Sequence, residues 1–170
     1  AFTLLTEFRY AVKEPVKKVL TFYRKSMFKD RINNAKKRLA AEGIELIALN
    51  AEGYGRGRTH IKKFLRENLE SELNTGKYDA VWVMLDSFIL HPEVFKEAWL
   101  PAAFQFKVPF VCGVRQLALP KLNFCSFAAY PNNEELGVQA AQLIETGFDE
   151  NSSAIEEVIA VDKVVNLKML

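Results

Sequence analysis

Apolar positions along the chain fall into two alternating patterns, short continuous runs and longer stretches with helical spacing. Residues 16–23 (VKKVLTFY) read as a buried strand, with a break ahead of them at 13–15. Phe28, Ile32, Ala35 and Leu39 then form one stripe, predicting a helix over 28–42 that Gly43 stops. Residues 44–49 are a second strand, and 51–58 (AEGYGRGR) a loop holding three glycines. Thr59 caps a second predicted helix with the stripe Ile61, Phe64, Leu65, Leu69 and Leu73, ended by 74–76. Residues 78–85 (YDAVWVML) are a third strand, and Pro92 suits the first turn of a third helix through Val94, Phe95, Ala98 and Trp99, which Pro101 should bend or break. Residues 108–114 (VPFVCGV) are a fourth strand, with its proline near the start where a missing donor is tolerated.

Residues 16–114 therefore read β-α-β-α-β-α-β. Strands that are apolar on both faces and separated by helices predict an α/β fold, a parallel sheet sandwiched by helices. Right-handed crossovers give the strand order 2-1-3-4. After residue 114 the rhythm changes. Residues 122–129 (LNFCSFAA) are a short extended run, and Asn132 with Glu135 makes a capping box for a helix through Leu136, Ala140, Leu143 and Ile144 to Gly147. Residues 155–165 read as a pair of short strands or one bent strand, and Asn166 as a further cap.

Length and composition narrow the class. The 170 residues correspond to roughly one domain. Hydrophobic residues at 49% and charged residues at 26% describe an ordinary folded chain, not a disordered one. A net charge of +2 is too balanced to make nucleic acid the expected partner. Cys112 and Cys125 both sit in apolar runs and read as buried, inert thiols sooner than as a pair. Two histidines, His60 and His91, with no neighbouring cysteine or acid cluster, make no metal site.

Ligands of open parallel sheets bind beyond the carboxyl ends of the strands. Here those ends are 23–26, with Tyr23, Arg24 and Ser26, then 50–53, then 86–87, with Asp86 and Ser87, and 115–116, with Arg115. Asp86 ends a strand that is apolar for five residues, and its carboxylate can pair with a ligand ammonium or cap the next turn. Arg115 can hold a carboxylate in a fork or be a solvated loop residue. The 53–58 glycine loop lacks the Lys-Ser/Thr end of a phosphate loop, Gly-x-Ser-x-Gly is absent, and no acid, base and nucleophile set converges. No catalytic residue, cofactor or metal is expected, and the protein is not expected to be an enzyme.

The strings 81–86 (VWVMLD), 107–111 (KVPFV), 132–141 (NNEELGVQAA) and 164–168 (VVNLK), in this order and spacing, resemble the substrate-binding proteins of the uncharacterised ABC-transporter group that includes tryptophan and tyrosine binders. These have the type I periplasmic-binding fold, in which two Rossmann-like α/β lobes clamp a ligand. The resemblance implies a C-terminal portion of such a protein. Residues 1–122 would form the second lobe, 123–154 a crossover belonging to the first lobe, and 155–170 the return to the second. It places Asp86 and Ser87 on a ligand-contacting element, residues 23–26 where relatives carry a ligand loop, and Asn132 where relatives place a cleft-facing acid.

The function implied is the solute-binding component of an ABC-type importer, taking a small molecule such as an amino acid or aromatic solute in an interlobe cleft. A ligand-sensing domain of a signalling or regulatory protein with the same fold is the alternative. The implied partners are the solute and a transporter permease, and the implied location is periplasmic, or extracytoplasmic as a lipoprotein. Two structural expectations follow. Residues 124–144 should not pack tightly on the core sheet, leaving an apolar face for a homodimer. Asp86 should be the strongest single ligand contact, so that Asp86→Ala weakens binding without changing thermal stability.

Overall fold

The structure, a computed structural model, describes residues 2–12, 15–145 and 160–169. Among them six strands form one sheet in the order β2-β1-β3-β4-β5-β6. β1 (Lys18–Tyr23), β2 (Glu45–Asn50), β3 (Ala80–Val83), β4 (Phe110–Cys112) and β5 (Phe127–Pro131) are parallel, and β6 (Val161–Val165) is antiparallel to β5. The expected 2-1-3-4 order of the first four strands is the observed one. The rest of the run read as strand at 155–165 lies outside the described residues.

Alternation along the strands sorts the interior into two layers. On one face Leu20, Phe22, Val81, Val83, Phe110 and Cys112 pack under α3 (Arg58–Leu73) and α5 (Leu100–Gln105). On the other, Val19, Trp82, Met84, Val111, Phe127 and Ala129 pack under α1 (Phe2–Val12) and α2 (Lys25–Ala41). Both faces are covered, which is why the inner strands tolerate apolar residues at consecutive positions.

The helix ends follow local chemistry. Gly43, at φ 74°, closes α2 with the Gly43 N–H donating to the Ala40 carbonyl and the Ile44 N–H to the Leu39 carbonyl. This paired geometry needs a left-handed residue after the helix. α3 starts one residue before the expected cap, from Gly57, so Thr59 lies inside the first turn.

Several expectations are corrected. The hydrophobic pattern leaves residues 2–12 unassigned, yet they form α1, which buries Leu4, Leu5 and Phe8. Pro101 does not break the third helical segment. The chain runs from α4 (Pro92–Val94) through a π-helical turn (Phe95–Trp99) into α5, and the Leu100 N–H reaches back to the Phe95 carbonyl. The widened turn carries the helix to a residue that lacks a donor. Cys112 and Cys125 are not free thiols but a disulfide, with Cα atoms 6.2 Å apart, joining the end of β4 to the residues before β5. Residues 124–129 are buried, and β5 is built into the sheet, so the expected loose packing of 124–144 fails for its strand half. The helical half differs: α7 (Asn133–Glu145) has no buried residue and leaves Leu136, Val138 and Ile144 exposed. A short α6 (Arg115–Ala118), also unassigned by the pattern, follows β4.

Candidate functional site

The carboxyl edge of the sheet is organised around Arg24 and Asp86. β1 ends at Tyr23, so Arg24 is the first residue beyond it and the N-cap of α2. β3 ends at Val83, and the chain continues extended through Met84 and Leu85 to Asp86. Because β1 and β3 are neighbours, these two residues meet. The Arg24 Nε donates to Asp86 Oδ2 at 2.7 Å, with the Asp86 side chain 0% and the Arg24 side chain 15% exposed.

Both carboxylate oxygens of Asp86 are used. Oδ1 accepts from the Phe88 N–H at 2.8 Å, and the Asp86 carbonyl accepts from the Leu90 N–H. The carboxylate expected to await a ligand ammonium is thus committed within the protein, to the next turn and to Arg24. The guanidinium lies over the Phe88 ring, 4.4 Å from its centroid. Its two terminal amino groups have no hydrogen-bond partner among the described residues. Asp86 and Phe88 therefore fix Arg24 while leaving its fork available, an arrangement suited to a planar anion.

The β2–α3 loop forms the neighbouring wall. Glu52 Oε2 accepts from the Ser26 N–H at 2.7 Å and Oε1 from the Ser26 hydroxyl at 2.6 Å. Asn50 Oδ1 accepts from the Lys25 N–H at 3.1 Å and from the Glu52 N–H at 3.2 Å. The first turn of α2 is thus capped from outside, by residues of another loop. Burial pushes the Glu52 carboxyl upward, but the two Ser26 hydrogen bonds, with Arg56 and Arg24 nearby, outweigh it and hold Glu52 below the ordinary carboxylate value. Exposed apolar side chains share this edge: Met27, Tyr54, Leu85 and Phe88.

The other candidates sit as follows. Tyr23 is half-buried at the end of β1, and Ser87 is exposed beside Asp86. Arg115 is exposed at the first position of α6, with no side-chain partner among the described residues. Asn132 is taken up structurally. Its Oδ1 accepts from the Glu134 and Glu135 N–H groups at 3.0 Å, and its amide donates to Asp162 Oδ1 on β6. Glu52 lies within the strand end at 50–53 but is not singled out by the sequence. Its signal was weak, one acid in a glycine loop, because its partner Ser26 comes from a different crossover. Among the described residues no cluster of side chains can hold a metal ion, and no helix is long and apolar enough to cross a membrane.

No protein-family model and no curated protein matches the chain. Solved structures that resemble it include two binding proteins. One is an ABC domain from Streptococcus pneumonia in complex with L-Trp, at TM-score 0.55 and 16% identity, covering 91% of this chain and 48% of that one. The other is CD0873 from Clostridium difficile, a substrate binding protein with adhesive properties in its ligand-free, open structure, at TM-score 0.61 and 16% identity, covering 96% of this chain and 52% of that one. The chain has the α/β fold of substrate-binding proteins. It spans about half the length of the two it resembles. Both neighbours are binding proteins rather than enzymes.

Proposed function

We propose that the chain is one lobe of the solute-binding component of an ABC-type importer. Its carboxyl edge faces a second lobe across a cleft that takes a small carboxylate-bearing solute, an amino acid or aromatic acid. The observation that carries this reading is the Arg24 guanidinium, anchored on one side and unpaired on the other at the edge where open parallel sheets bind ligands. Exposed Met27, Leu85 and Phe88 offer apolar surface to the body of the solute. Ligand would stabilise the closed form because only that form lets both lobes touch it.

The Cys112–Cys125 disulfide supports an oxidising, extracytoplasmic location, in keeping with a periplasmic protein or a lipoprotein partnered by a permease. In this reading residues 123–154 serve the first lobe through α7, whose exposed Leu136, Val138 and Ile144 would meet that lobe or, in its absence, a second copy. Ser87 and Arg115 stand at the cleft as secondary contacts.

Calorimetric titration of the full-length protein with a panel of amino acids, L-tryptophan first, tests the proposal. Saturable binding of one of them, weakened by Arg24→Gln by roughly ten- to hundredfold, is expected for the loss of a charge-assisted hydrogen bond. Binding that ignores Arg24→Gln would remove Arg24 from the site. Absence of binding across the panel would refute the function.

A further inference from the structure

Charge is unevenly shared over the molecule. α2 holds six basic residues, Lys25, Lys29, Arg31, Lys36, Lys37 and Arg38, and one acid, Asp30, a net +5. The whole chain is only +2, so the residues outside α2 together carry −3. One helix is therefore the positive pole of a chain that is acidic elsewhere.

The basic residues fall on two flanks of α2, which buries Ile32, Ala35 and Leu39 against the sheet. Arg31 and Arg38 lie on the flank turned to α1, beside Phe2 and Leu4. Both are occupied there. The Arg38 guanidinium stands over the Phe2 ring, 4.4 Å from its centroid, and Arg31 lies 5.8 Å from the centroid of Phe28. Lys25, Lys29 and Lys36 lie on the opposite flank, beside β2, the edge strand of the sheet. Helical geometry puts them within about 40° of one another around the axis and spreads them over about 16 Å along it. Lys37 follows on the outer face. All four lysines are exposed, and none of their ammonium groups has an ion pair or hydrogen bond among the described residues.

Local physics does not favour this placement for the helix's own sake. Like charges four apart, as at Lys25 and Lys29, destabilise a helix, and a cation in the first turn opposes the helix dipole. The first turn has no acid of its own, and Asp30 makes no ion pair among the described residues. Nearby Glu42, Glu45 and Glu52 are engaged by Arg9, Lys18 and Ser26. A local rule broken without compensation inside the molecule points to a functional surface.

We infer that the lysine flank of α2 is an electrostatic docking surface for an anionic lipid bilayer. The flank is straight and carries no large apolar side chain, so it suits a plane of headgroups that it touches without entering. Lysine is a compact, mobile point charge that meets phosphates at variable positions, whereas a fixed carboxylate partner favours arginine forks. Nucleic acid fits less well, because no aromatic side chain interleaves with these lysines. With β2 toward the bilayer the strands run along its plane, and the carboxyl edge opens sideways. This surface is distinct from the solute site, so its failure would leave that reading intact.

The test is co-sedimentation of the full-length protein, at low salt, with vesicles of phosphatidylcholine alone and of an equal mixture with phosphatidylglycerol. Each basic residue near an anionic surface is worth roughly fivefold in partitioning, so binding to the mixed vesicles should be roughly a hundredfold tighter than to the neutral ones. It should be lost at about 0.5 M salt, where charges are screened within a few ångströms. Lys29→Gln alone should weaken it roughly fivefold, and Lys25→Gln/Lys29→Gln/Lys36→Gln should remove most of the difference between vesicles without lowering the melting temperature. Lys17→Gln/Lys107→Gln/Lys121→Gln, an equal change in net charge at exposed positions ahead of β1, β4 and β5, should keep it. Equal binding to both vesicles, indifference to the α2 triple substitution, or the same loss from the control would each overturn the proposal. Vesicles left unbound while poly-L-glutamate binds through the same three lysines would assign the flank to an acidic protein, and would overturn it too.

Discussion

Substituting Asp86 separates two roles that a carboxylate at the end of a strand can play. In the structure its side chain is fully buried and satisfies two groups, the Arg24 Nε at 2.7 Å and the Phe88 N–H at 2.8 Å. Removing one member of a buried ion pair costs about 3–5 kcal/mol. Arg24 keeps 15% of its side chain exposed, so water recovers part of this. We take about 2–3 kcal/mol for Asp86→Ala, which at about 2–4 °C per kcal/mol for a chain of this size lowers the melting temperature by roughly 4–12 °C. Asp86→Asn retains an acceptor for the Phe88 N–H and should lose about half as much. The assay is thermal unfolding by circular dichroism, with Arg24→Met and the Arg24→Met/Asp86→Ala double variant completing a cycle. Contacting residues couple by about 0.5–3 kcal/mol, so the double variant should be more stable than the sum of single losses implies. An unchanged melting temperature for Asp86→Ala, together with a ten- to hundredfold loss of solute affinity, would refute this. It would return Asp86 to the direct ligand contact expected from sequence.

Two further outcomes follow from the same edge and the strand beside it. Ser26→Ala removes one of the two hydrogen bonds that hold Glu52 and should cost about 0.5–1 kcal/mol at pH 7 by urea unfolding. Because Glu52 titrates below its ordinary 4.5 in the folded state, the stability it contributes is complete above that value and is lost as pH falls through the lower folded value; the gap between wild type and variant should narrow as pH falls through that lowered value. Reducing the Cys112–Cys125 bond opens a loop with a sequence separation of 13. The chain-entropy account gives about 3 kcal/mol for a loop of roughly this length, read as a drop in melting temperature with reductant that Cys112→Ala/Cys125→Ala reproduces without it.

What the sequence makes legible here is what one segment decides alone. The four apolar runs are strands because each is flanked by helix-spaced residues and turn formers, and their order follows from crossover handedness. Gly43 and Asn132 act where local chemistry puts them, one after α2 and the other capping α7. The failures involve partners far apart along the chain. α1 carries its stripe at Leu4, Leu5 and Phe8, but a helix of 11 residues beside a break is a weak signal until β4 and β5 offer a face to cover. The pairing of Cys112 with Cys125 depends on β4 and β5 lying side by side. Asp86 looked like an unclaimed carboxylate because its claimant, Arg24, lies 62 positions away. Pro101 was read by a rule for α-helices, and a π turn just before it removes the conflict.

The way α2 is capped also bears on which anion the carboxyl edge can accept. In doubly wound sheets the free N–H groups at the start of the helix after the first strand are a ready phosphate site. In this chain two of those groups are already taken, the Ser26 N–H by Glu52 and the Lys25 N–H by Asn50. A phosphate arriving there would have to displace a carboxylate held by two short hydrogen bonds, or sit against its charge. Nucleotides and sugar phosphates are therefore disfavoured where many α/β proteins bind them. What remains for an anion is the Arg24 fork, one residue before that turn and fixed by Asp86 and Phe88. Its flat pair of donors suits a singly charged carboxylate whose apolar body extends over Leu85 and Phe88, so the chemistry of the edge points to an organic acid or amino acid and away from a phosphorylated ligand.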